Sequence, residues 1–304
     1  MFVSGLTFVR NAIRFDYPVV ESITSILPLC DEFVVAVGNS EDDTRNLIAS
    51  IGSPKIKIID TFWDDTKRDG GLVLAEETNK ALDKISPSGT WAFYLQADEV
   101  VHEKYHDAIY QSMEKHKKDI EVEGFLFDYL HFYGSYDFTG DSRQWYRNEV
   151  RIIRNDKHIR SYQDAQGFRK NERKLRVIPS GGSVNHYGWV KPPDFQQAKQ
   201  ESFHRYWHDD RWIEKNIPKS EGFDYTKIDS LARFDGTHPL VMKDRIRQKN
   251  WHFSFDPSRK KISVIQRFLH FLENKTGWRP GEYRNYKLLT ISFLSLFKIL
   301  SLWI

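Results

Sequence analysis

The stretch Trp91-Ala92-Phe93-Tyr94-Leu95-Gln96-Ala97-Asp98-Glu99 decides our interpretation of the fold. Its first part is almost wholly apolar and uncharged, which is typical of a strand buried on both faces in the middle of a parallel sheet. The strand ends in two adjacent acids, Asp98 and Glu99. Ligands of open α/β sheets bind beyond the carboxyl ends of such strands, where an acid can hold a divalent cation and, through it, a diphosphate. The same residues are also compatible with a strand followed by a solvated turn.

Strands and helices alternate through the first hundred residues. We predict strands at 2–9, 32–37 and 55–62, and helices at 17–29, from an N-cap at Ser40, and at 74–85. This order predicts right-handed βαβ crossovers and therefore an α/β fold with a parallel sheet. The chain lacks both Gly-x-Gly-x-x-Gly after the first strand and Gly-x4-Gly-Lys-Ser/Thr, which speaks against a dinucleotide-binding site and a P-loop.

The composition indicates a folded protein with a substantial core. Of the 304 residues, 40% are hydrophobic and 29% are charged, and the formal net charge of +3 is too small to imply nucleic acid as a partner. The single cysteine, Cys30, lies in an apolar run, so we expect a buried structural thiol and a reducing compartment. The N-terminus shows no evident signal peptide, and we expect a cytoplasmic protein.

The middle of the chain predicts a charged surface helix, two more strands and a basic cluster. The helix spans 103–118, and the strands span 124–133 and 149–155, with a Gly, Ser and Asp loop at 134–141. The arginines between 143 and 176 either form a solvated positive surface or neutralise a phosphate group.

Histidines and a Pro-Pro pair mark the transition to the last third. A lone histidine such as His186 is more often packed or hydrogen-bonded than a ligand. After Lys191-Pro192-Pro193 the chain is predicted to be helical and rich in Trp, Tyr and His. His204 and His208 share one helical face, but no third zinc ligand is indicated, so we interpret them as structural or substrate-facing.

The segment 288–304 carries a single charge and follows several basic residues. It is shorter than the roughly 20 apolar residues that a spanning helix needs. A basic segment followed by an apolar helix suits an in-plane anchor on anionic lipid. The alternative is a helix docked on the protein itself or at a dimer contact.

Several stretches together resemble family 2 glycosyltransferases of the GT-A type, which use nucleotide-sugar donors. Residues 8–11 look like the loop after the first strand of that family, 31–44 like its "DEIVVVDxGSxDxT" segment, and 95–99 like its "LDADE" segment. The clear resemblance covers residues 3 to 103. Residues 150–155, 164–169 and 186–193 look like a subgroup found in bacterial surface-polysaccharide clusters.

The chain departs from this family pattern at two places. Gln96 replaces the first acid of the Asp-x-Asp motif, and Gly38-Asn39 replace the acid that often contacts the base. The first departure questions how a metal is held. The second questions how ribose and base are recognised.

The resemblance implies a GT-A fold, with a mostly parallel central sheet, helices on both of its faces, and a helical C-terminal extension. We expect a glycosyltransferase domain at 1–190 and the extension at 191–304, with the membrane-surface helix at its end. The implied activity is hexosyltransferase-like and inverting, from a nucleotide-sugar donor to a glycan or lipid-linked acceptor hydroxyl. The implied setting is bacterial polysaccharide or glycoconjugate synthesis, in the cytoplasm or peripherally at the inner face of the plasma membrane.

The resemblance also implies roles for individual residues. Asp98 and His186 would hold Mn²⁺ or Mg²⁺, with Glu99 beside them. Asp164 would act as the catalytic base, with Glu149 as the reserve choice. The expected donor contacts are Val9, Arg10, Asn11, Asn39, Asn79, Ala97, Asp98, Arg151 and Arg154.

Two functions from other classes remain as alternatives. A nucleotidyltransferase shares strand-end acids and diphosphate chemistry, although its usual Gly-rich, basic N-terminal loop is missing here. A non-catalytic scaffold would keep the fold and lose donor binding, and Gln96 and Gly38 are compatible with that.

Overall fold

A computed structural model describes residues 1–217 and 219–289 of the chain. The strands in these ranges are β1 (Val3–Val9), β2 (Glu32–Val37), β3 (Ile56–Asp60), β4 (Trp91–Tyr94), β5 (Glu99–Val101), β6 (Gly124–Tyr133), β7 (Ser135–Gly140), β8 (Asn148–Arg154), β9 (Ile159–Tyr162), β10 (Gly167–Lys170), β11 (Arg173–Trp189), β12 (Leu231–Arg233) and β13 (Tyr286–Leu288). The α-helices are α1 (Val19–Ile26), α2 (Thr44–Ala49), α3 (Leu72–Leu82), α4 (His106–Lys115), α5 (Pro193–Phe203), α6 (Asp210–Asn216), α7 (Lys243–Arg247) and α8 (Val264–Thr276).

The strands form one mixed sheet in the order β3-β2-β1-β4-β8-β6-β11-β10-β9. The first four neighbours in this order are parallel, as the alternation of strands and helices predicted. Strand β4 is buried on both faces, because Phe93 belongs to one apolar core and Ala92 and Tyr94 to the other. Helices α1, α2 and α4 contribute to the first core and α3 to the second. The predicted α/β class, with a sheet covered on both faces, is confirmed.

Helix α2 begins later than the sequence predicted. Its N-cap is Asp43, not Ser40. The Ser40 hydroxyl accepts a hydrogen bond from the Asn11 backbone N–H at 3.0 Å and donates to the Gly38 carbonyl at 3.1 Å. Ser40 therefore joins the loops after β1 and β2, and the chain turns once more before the helix starts.

The second half of the sheet contains a strand where the sequence predicted a loop. Gly134 has a φ of +70°, which places a tight turn between β6 and β7. Strand β7 pairs with β6 and also with β12 from the last third of the chain. Strand β11 runs for 17 residues and is parallel to β6, with a register shift between Pro179 and Ser183.

Residues 191–217 and 219–289 pack against the first part of the chain and are less helical than predicted, because they also supply β12 and β13 to the sheet. The amino group of the fully buried Lys191 donates to the Phe15 carbonyl at 2.6 Å. Arg245 forms ion pairs with Asp16 at 2.6 Å and Glu21 at 3.0 Å.

The predicted membrane-surface helix at 288–304 lies outside the described residues from position 290 onward. Within the described ranges, no helix has the length and apolar character needed to cross a membrane.

Cys30 is buried, as predicted, where β1 and β2 approach each other closely. A Cβ added at Gly5 would lie 2.3 Å from the Phe33 ring and 2.9 Å from the Cys30 sulfur, so only glycine fits there. Burial raises the pKa of the Cys30 thiol well above its ordinary value. The thiol is therefore held in its unreactive, protonated form.

Candidate functional site

A cavity of about 330 Å³ opens beyond the carboxyl ends of β1 and β4. This is the edge of the sheet where ligands of α/β proteins bind. Its walls come from the ends of β1 and β4, the β9–β10 loop, β11, and α5 with the turn that follows it. The lining residues are Phe8, Val9, Arg10, Phe15, Tyr17, Trp63, Leu74, Gln96, Ala97, Asp98, Tyr146, Asp164, Gln166, His186, Trp189, Lys199, Gln200, Ser202, Phe203, His204, Tyr206 and Trp207.

Asp98 lies in the cavity wall with only 8% of its surface exposed. Its Oδ2 accepts a hydrogen bond from the Lys199 ammonium at 3.1 Å, and its Oδ1 lies 3.7 Å from the His186 Nε2. Burial by itself would raise the pKa of Asp98, but Lys199, His186 and Lys191 hold that pKa below its ordinary value. Asp98 is therefore an ionised carboxylate at neutral pH.

Glu99, the next residue, points into the protein. Its two oxygens accept from Arg151 Nε and Nη2, each at 2.7 Å, and Glu99 also accepts from the Tyr129 hydroxyl at 2.8 Å. Both members of the ion pair are 0% exposed. Arg151, which we expected to contact a diphosphate, is therefore committed to Glu99, because β8 places its side chain opposite the start of β5.

Arg154 also lies away from the cavity, at the opposite end of β8. Its guanidinium packs 4.2 Å from the centre of the Trp91 ring. It donates to the carbonyls that follow α4, with the shortest bond at 2.7 Å to Asp119. This predicted donor contact instead holds the end of α4 against the start of β4.

The side chain of Asn79 connects α3 to β9. Its amide donates to the Ser161 carbonyl at 3.2 Å and accepts from the Ser161 N–H at 2.9 Å. Asn79 is not part of the cavity lining, although the sequence resemblance named it as a donor contact.

The loop after β1 contributes Val9 and Arg10 to the cavity. Arg10 donates to both carboxylate oxygens of Asp65, at 2.5 and 3.1 Å, and to the Asn39 carbonyl at 3.2 Å. Asn11 and Asn39 are not lining residues of the cavity. The Asn11 side chain accepts a hydrogen bond from the Glu41 N–H, and the Asn39 side chain accepts one from the Trp63 N–H, so both hold the neighbouring loops in place. Of the predicted contacts in this loop, the structure therefore brings Val9 and Arg10 to the cavity.

A second histidine, which the sequence analysis did not single out, determines the tautomer of His186. His131 Nε2 donates to the Tyr146 carbonyl at 2.8 Å, so the Nδ1 of a neutral His131 must accept. His186 Nδ1, at 3.2 Å, is then the donor. Burial lowers the pKa of His131 to about 3 and also lowers the pKa of His186, so both rings are neutral at pH 7. His186 Nε2 therefore carries a lone pair and faces Asp98.

The residues around Asp98 do not fit a divalent cation in the arrangement described. Asp98 Oδ1 and His186 Nε2 could supply two ligands, as predicted, but Lys199 already places a positive charge 3.1 Å from the same carboxylate. Across the described ranges, no group of three or more His, Cys, Asp or Glu residues comes together to hold a metal ion. Mg²⁺ requires octahedral coordination by hard oxygen ligands. A cation entering here would need Lys199 to move.

The two candidates for the base differ in protonation. Asp164 lines the cavity from the β9–β10 loop, and burial raises its pKa from the ordinary aspartate value. Glu149 is not a lining residue, and burial raises its pKa to about 8, with Glu99 adding to the shift and Arg151 opposing it. Glu149 therefore holds its proton at neutral pH, which leaves Asp164 as the better-placed base.

The aromatic and cationic wall formed by α5 was not assigned from sequence. Lys199 is 8% exposed, and its ammonium donates to Asp98 and, at 3.0 Å, to the Gly188 carbonyl. The Phe203 and Trp207 rings pack 4.5 Å apart. The sequence showed these residues as an aromatic-rich helical segment, but no motif connected that segment to Asp98.

No family model and no curated protein matches the chain. It is similar to solved structures of S. aureus TarS. One TarS structure, of the fragment 1-349, shows 16% identity over 45% of this chain and 36% of that chain, with a TM-score of 0.32. Another TarS structure shows 12% identity over 73% of this chain and 41% of that chain, with a TM-score of 0.40. The chain is also similar to glucosyl-3-phosphoglycerate synthase from Mycobacterium tuberculosis in complex with Mn²⁺, uridine-diphosphate and phosphoglyceric acid, with 17% identity over 43% of both chains and a TM-score of 0.30. The matched region is less than half of the length of each of these three neighbours.

Proposed function

We propose that the protein is a glycosyltransferase that moves a sugar from a nucleotide-sugar donor to an acceptor hydroxyl. The observation that carries the proposal is Asp98, an ionised carboxylate beyond the inner strand β4, which is parallel to β1 and antiparallel to β8, in the wall of a cavity of about 330 Å³. Such a cavity at the carboxyl end of a sheet, with convergent polar groups, is the default ligand site of an α/β protein. The motifs at 31–44 and 95–99 support the assignment to this class of enzyme.

The walls of the cavity offer the groups that a nucleotide sugar needs. Lys199 and Arg10 are cations for the diphosphate, and the rings of Phe8, Trp63 and Tyr206 are flat surfaces for the base or sugar. Phe8 and Trp63 pack at 5.7 Å, and Trp63 and Tyr206 at 5.6 Å, so these rings form one continuous aromatic wall.

The chemistry we propose is a single displacement with inversion. The acceptor hydroxyl oxygen forms a bond to the anomeric carbon, while the bond from that carbon to the diphosphate oxygen breaks and its electron pair leaves with the diphosphate. The Asp164 carboxylate accepts the hydroxyl proton. The cations in the wall stabilise the negative charge on the departing diphosphate.

The sequence resemblance supports the proposed acceptor and cellular setting, and α8 supports contact with a membrane surface. We propose a glycan or lipid-linked acceptor in bacterial surface polysaccharide or glycoconjugate synthesis. Helix α8 exposes apolar side chains, with Val264 81% and Phe268 63% accessible. Exposed basic residues at 259–261 precede it and Lys275 is exposed in its last turn, a pattern that favours contact with an anionic membrane surface.

The first test is a thermal-shift panel of UDP, GDP, CMP and dTDP with the purified full chain. We expect one nucleotide to stabilise the protein, by about 2.7 kcal/mol at a concentration of a hundred times its Kd. No stabilisation by any of them contradicts the proposal and favours a non-catalytic scaffold. Release of pyrophosphate from a nucleoside triphosphate would instead indicate a nucleotidyltransferase.

The second test separates the base from donor binding. Asp164→Asn should lower sugar transfer by about 10²- to 10⁴-fold, because proton transfer by a positioned group contributes that much. Nucleotide affinity should stay close to that of the unmodified chain. Asp235→Asn is the matched control at an exposed aspartate and should change neither quantity. Equal losses of transfer and affinity in Asp164→Asn would reject the base role.

A further inference from the structure

Asp98 is the only carboxylate of the strand-end motif that reaches the cavity. Glu99 is bound by Arg151 through both of its oxygens, and residue 96 is an amide. The Gln96 side chain also lines the cavity and lies 3.5 Å from the Ala165 carbonyl. The motif thus presents a single negative charge to the cavity, where an Asp-x-Asp pair would present two.

Lys199 balances that single charge. Helix α5 brings its ammonium to 3.1 Å from Asp98 Oδ2 and 3.0 Å from the Gly188 carbonyl. An ammonium has three N–H donors, so these two bonds leave one donor for a ligand in the cavity that Lys199 lines. The Tyr17 ring, 5.0 Å from the ammonium, packs beside it.

The backbone at Gly188 passes close to this pair. A Cβ added at Gly188 would lie 2.7 Å from both Asp98 Oδ2 and His186 Nε2. The strand that carries His186 therefore approaches the Asp98–Lys199 pair as closely as backbone allows. A divalent cation between Asp98 and His186 would lie within a few ångströms of the Lys199 ammonium in this arrangement, where like charges repel strongly.

We propose that the Lys199 ammonium binds the donor diphosphate in the place that a divalent cation would otherwise take, so that nucleotide binding needs no metal. The neutral Gln96 agrees with this arrangement. Without a metal to offset it, a second carboxylate at position 96 would repel the diphosphate, whereas an amide can donate a hydrogen bond to it. This inference rests on the proposed glycosyltransferase function and states how its site holds the donor.

The test is isothermal titration of the full chain with UDP, GDP and dTDP, first in EDTA and then with Mn²⁺. We expect the preferred nucleotide to bind in EDTA with an affinity within about threefold of that in Mn²⁺, a difference below 1 kcal/mol. Binding that requires Mn²⁺ would overturn the inference and leave the proposed function standing. Absence of binding by all three under both conditions would overturn the inference, and, if CMP does not stabilise the protein either, the proposed function as well.

Variants at position 199 test the residue itself. Lys199→Met should weaken nucleotide binding in EDTA by about 10- to 100-fold, the value of a charge-assisted hydrogen bond. Adding Mn²⁺ should restore part of this affinity, because Asp98 and His186 then face no ammonium. A purely structural lysine would give neither the loss nor the recovery. Lys243→Met, at an exposed lysine, is the matched control and should bind like the unmodified chain.

Folding of each variant is checked by circular dichroism. If Lys199→Met does not fold, Lys199→Gln replaces it, and the comparison of EDTA with Mn²⁺ in the unmodified chain decides independently. Affinity in EDTA that is unchanged in the folded variant would overturn the inference.

Discussion

Asp98 and Glu99 are adjacent acids with opposite environments. Asp98 lines the cavity, whereas Glu99 is enclosed by Arg151, Tyr129 and the Gln96 N–H. The sequence predicted that acids follow the inner strand and assigned the metal and donor role to Asp98, which lies in the cavity wall. It could not assign Arg151, because nothing in a linear motif shows which arginine of a distant strand lies opposite Glu99.

The buried pair makes a testable contribution to stability. Arg151→Met should lower the free energy of unfolding by about 3–5 kcal/mol, because it leaves the Glu99 carboxylate buried without its partner. Adding Glu99→Gln to that variant should recover part of the loss, because the uncompensated charge is then removed. Urea denaturation of the single and double variants measures both effects. A loss below 1 kcal/mol in Arg151→Met would contradict the assignment.

Glu149 makes the stability depend on pH. Its folded-state pKa is about 8, above the ordinary value of 4.5, so the folded protein binds a proton more tightly than the unfolded chain does. This contribution to stability is complete below pH 4.5 and is lost as the pH rises through 8.

The Glu149→Gln variant removes that dependence. The unmodified chain should lose stability relative to the variant by up to about 1.4 kcal/mol per pH unit within this window. Urea denaturation at several pH values between 5 and 8 measures the difference, and the charges of Glu99, Asp164 and Arg151 around the site are the same in both proteins. Parallel pH profiles would show that Glu149 is ionised in the folded state.

At the scale of elements, strands with uniform apolar runs were predictable from the sequence. Strands that form only because neighbouring strands supply hydrogen-bond partners were not. Strands β2 and β4 are read directly from the apolar runs at 32–37 and 90–95. Strand β7 contains Ser, Asp, Thr and Gly, a composition typical of loops, and it is a strand because β6 and β12 provide backbone partners on both sides. Propensity gave no sign of this tertiary pairing.

Helix α8 has an apolar face that is open to solvent in the described part of the chain. Val264, Ile265, Phe268 and Phe271 are 81%, 72%, 63% and 59% exposed, and they lie on one side of the helix. The helix begins with a capping box at Ser263 and Gln266, so its start is well defined. We expect this face to contact anionic lipid.

Vesicle sedimentation tests this expectation with matched charge changes. Phe271→Glu should lower binding to phosphatidylserine vesicles by about tenfold, because it removes an aromatic ring from the lipid-facing side and adds repulsion. Gln111→Glu adds the same charge at an exposed position of α4, outside this face, and should change binding much less. Equal effects of both substitutions would mean that only net charge matters.

At the scale of the whole molecule, the two segments divided at residue 190 act as one structure. The cavity takes Asp98 and Asp164 from the first segment and Lys199 from the second. Strands β12 and β13 complete the sheet from the second segment. The sequence predicted where the composition changes and allowed His204, which lines the cavity, to face a substrate. It did not predict that Lys199 pairs with Asp98, because contacts between distant segments leave no local pattern.

Truncation after residue 190 should therefore abolish both cooperative folding and nucleotide binding. Residues 1–190 alone would expose the aromatic core around Tyr133 and Phe138, which packs against Tyr225 and Leu231. We expect no cooperative thermal unfolding and no nucleotide binding from this fragment, as measured by circular dichroism and titration. A fragment that unfolds cooperatively and binds with unchanged affinity would show that the first segment is an independent domain.

The lone sulfhydryl beneath Gly5 and Phe33 gives this protein a built-in probe of breathing motions. A disulfide reagent can modify Cys30 only when β1 and β2 separate, so its reaction rate reports how often that part of the sheet opens. Because the chain holds one cysteine, the signal of the reagent comes from Cys30 alone and no labelling site has to be engineered. If ligand in the cavity beyond the opposite, carboxyl ends of these strands slows this reaction, binding there restrains opening at the amino ends of β1 and β2.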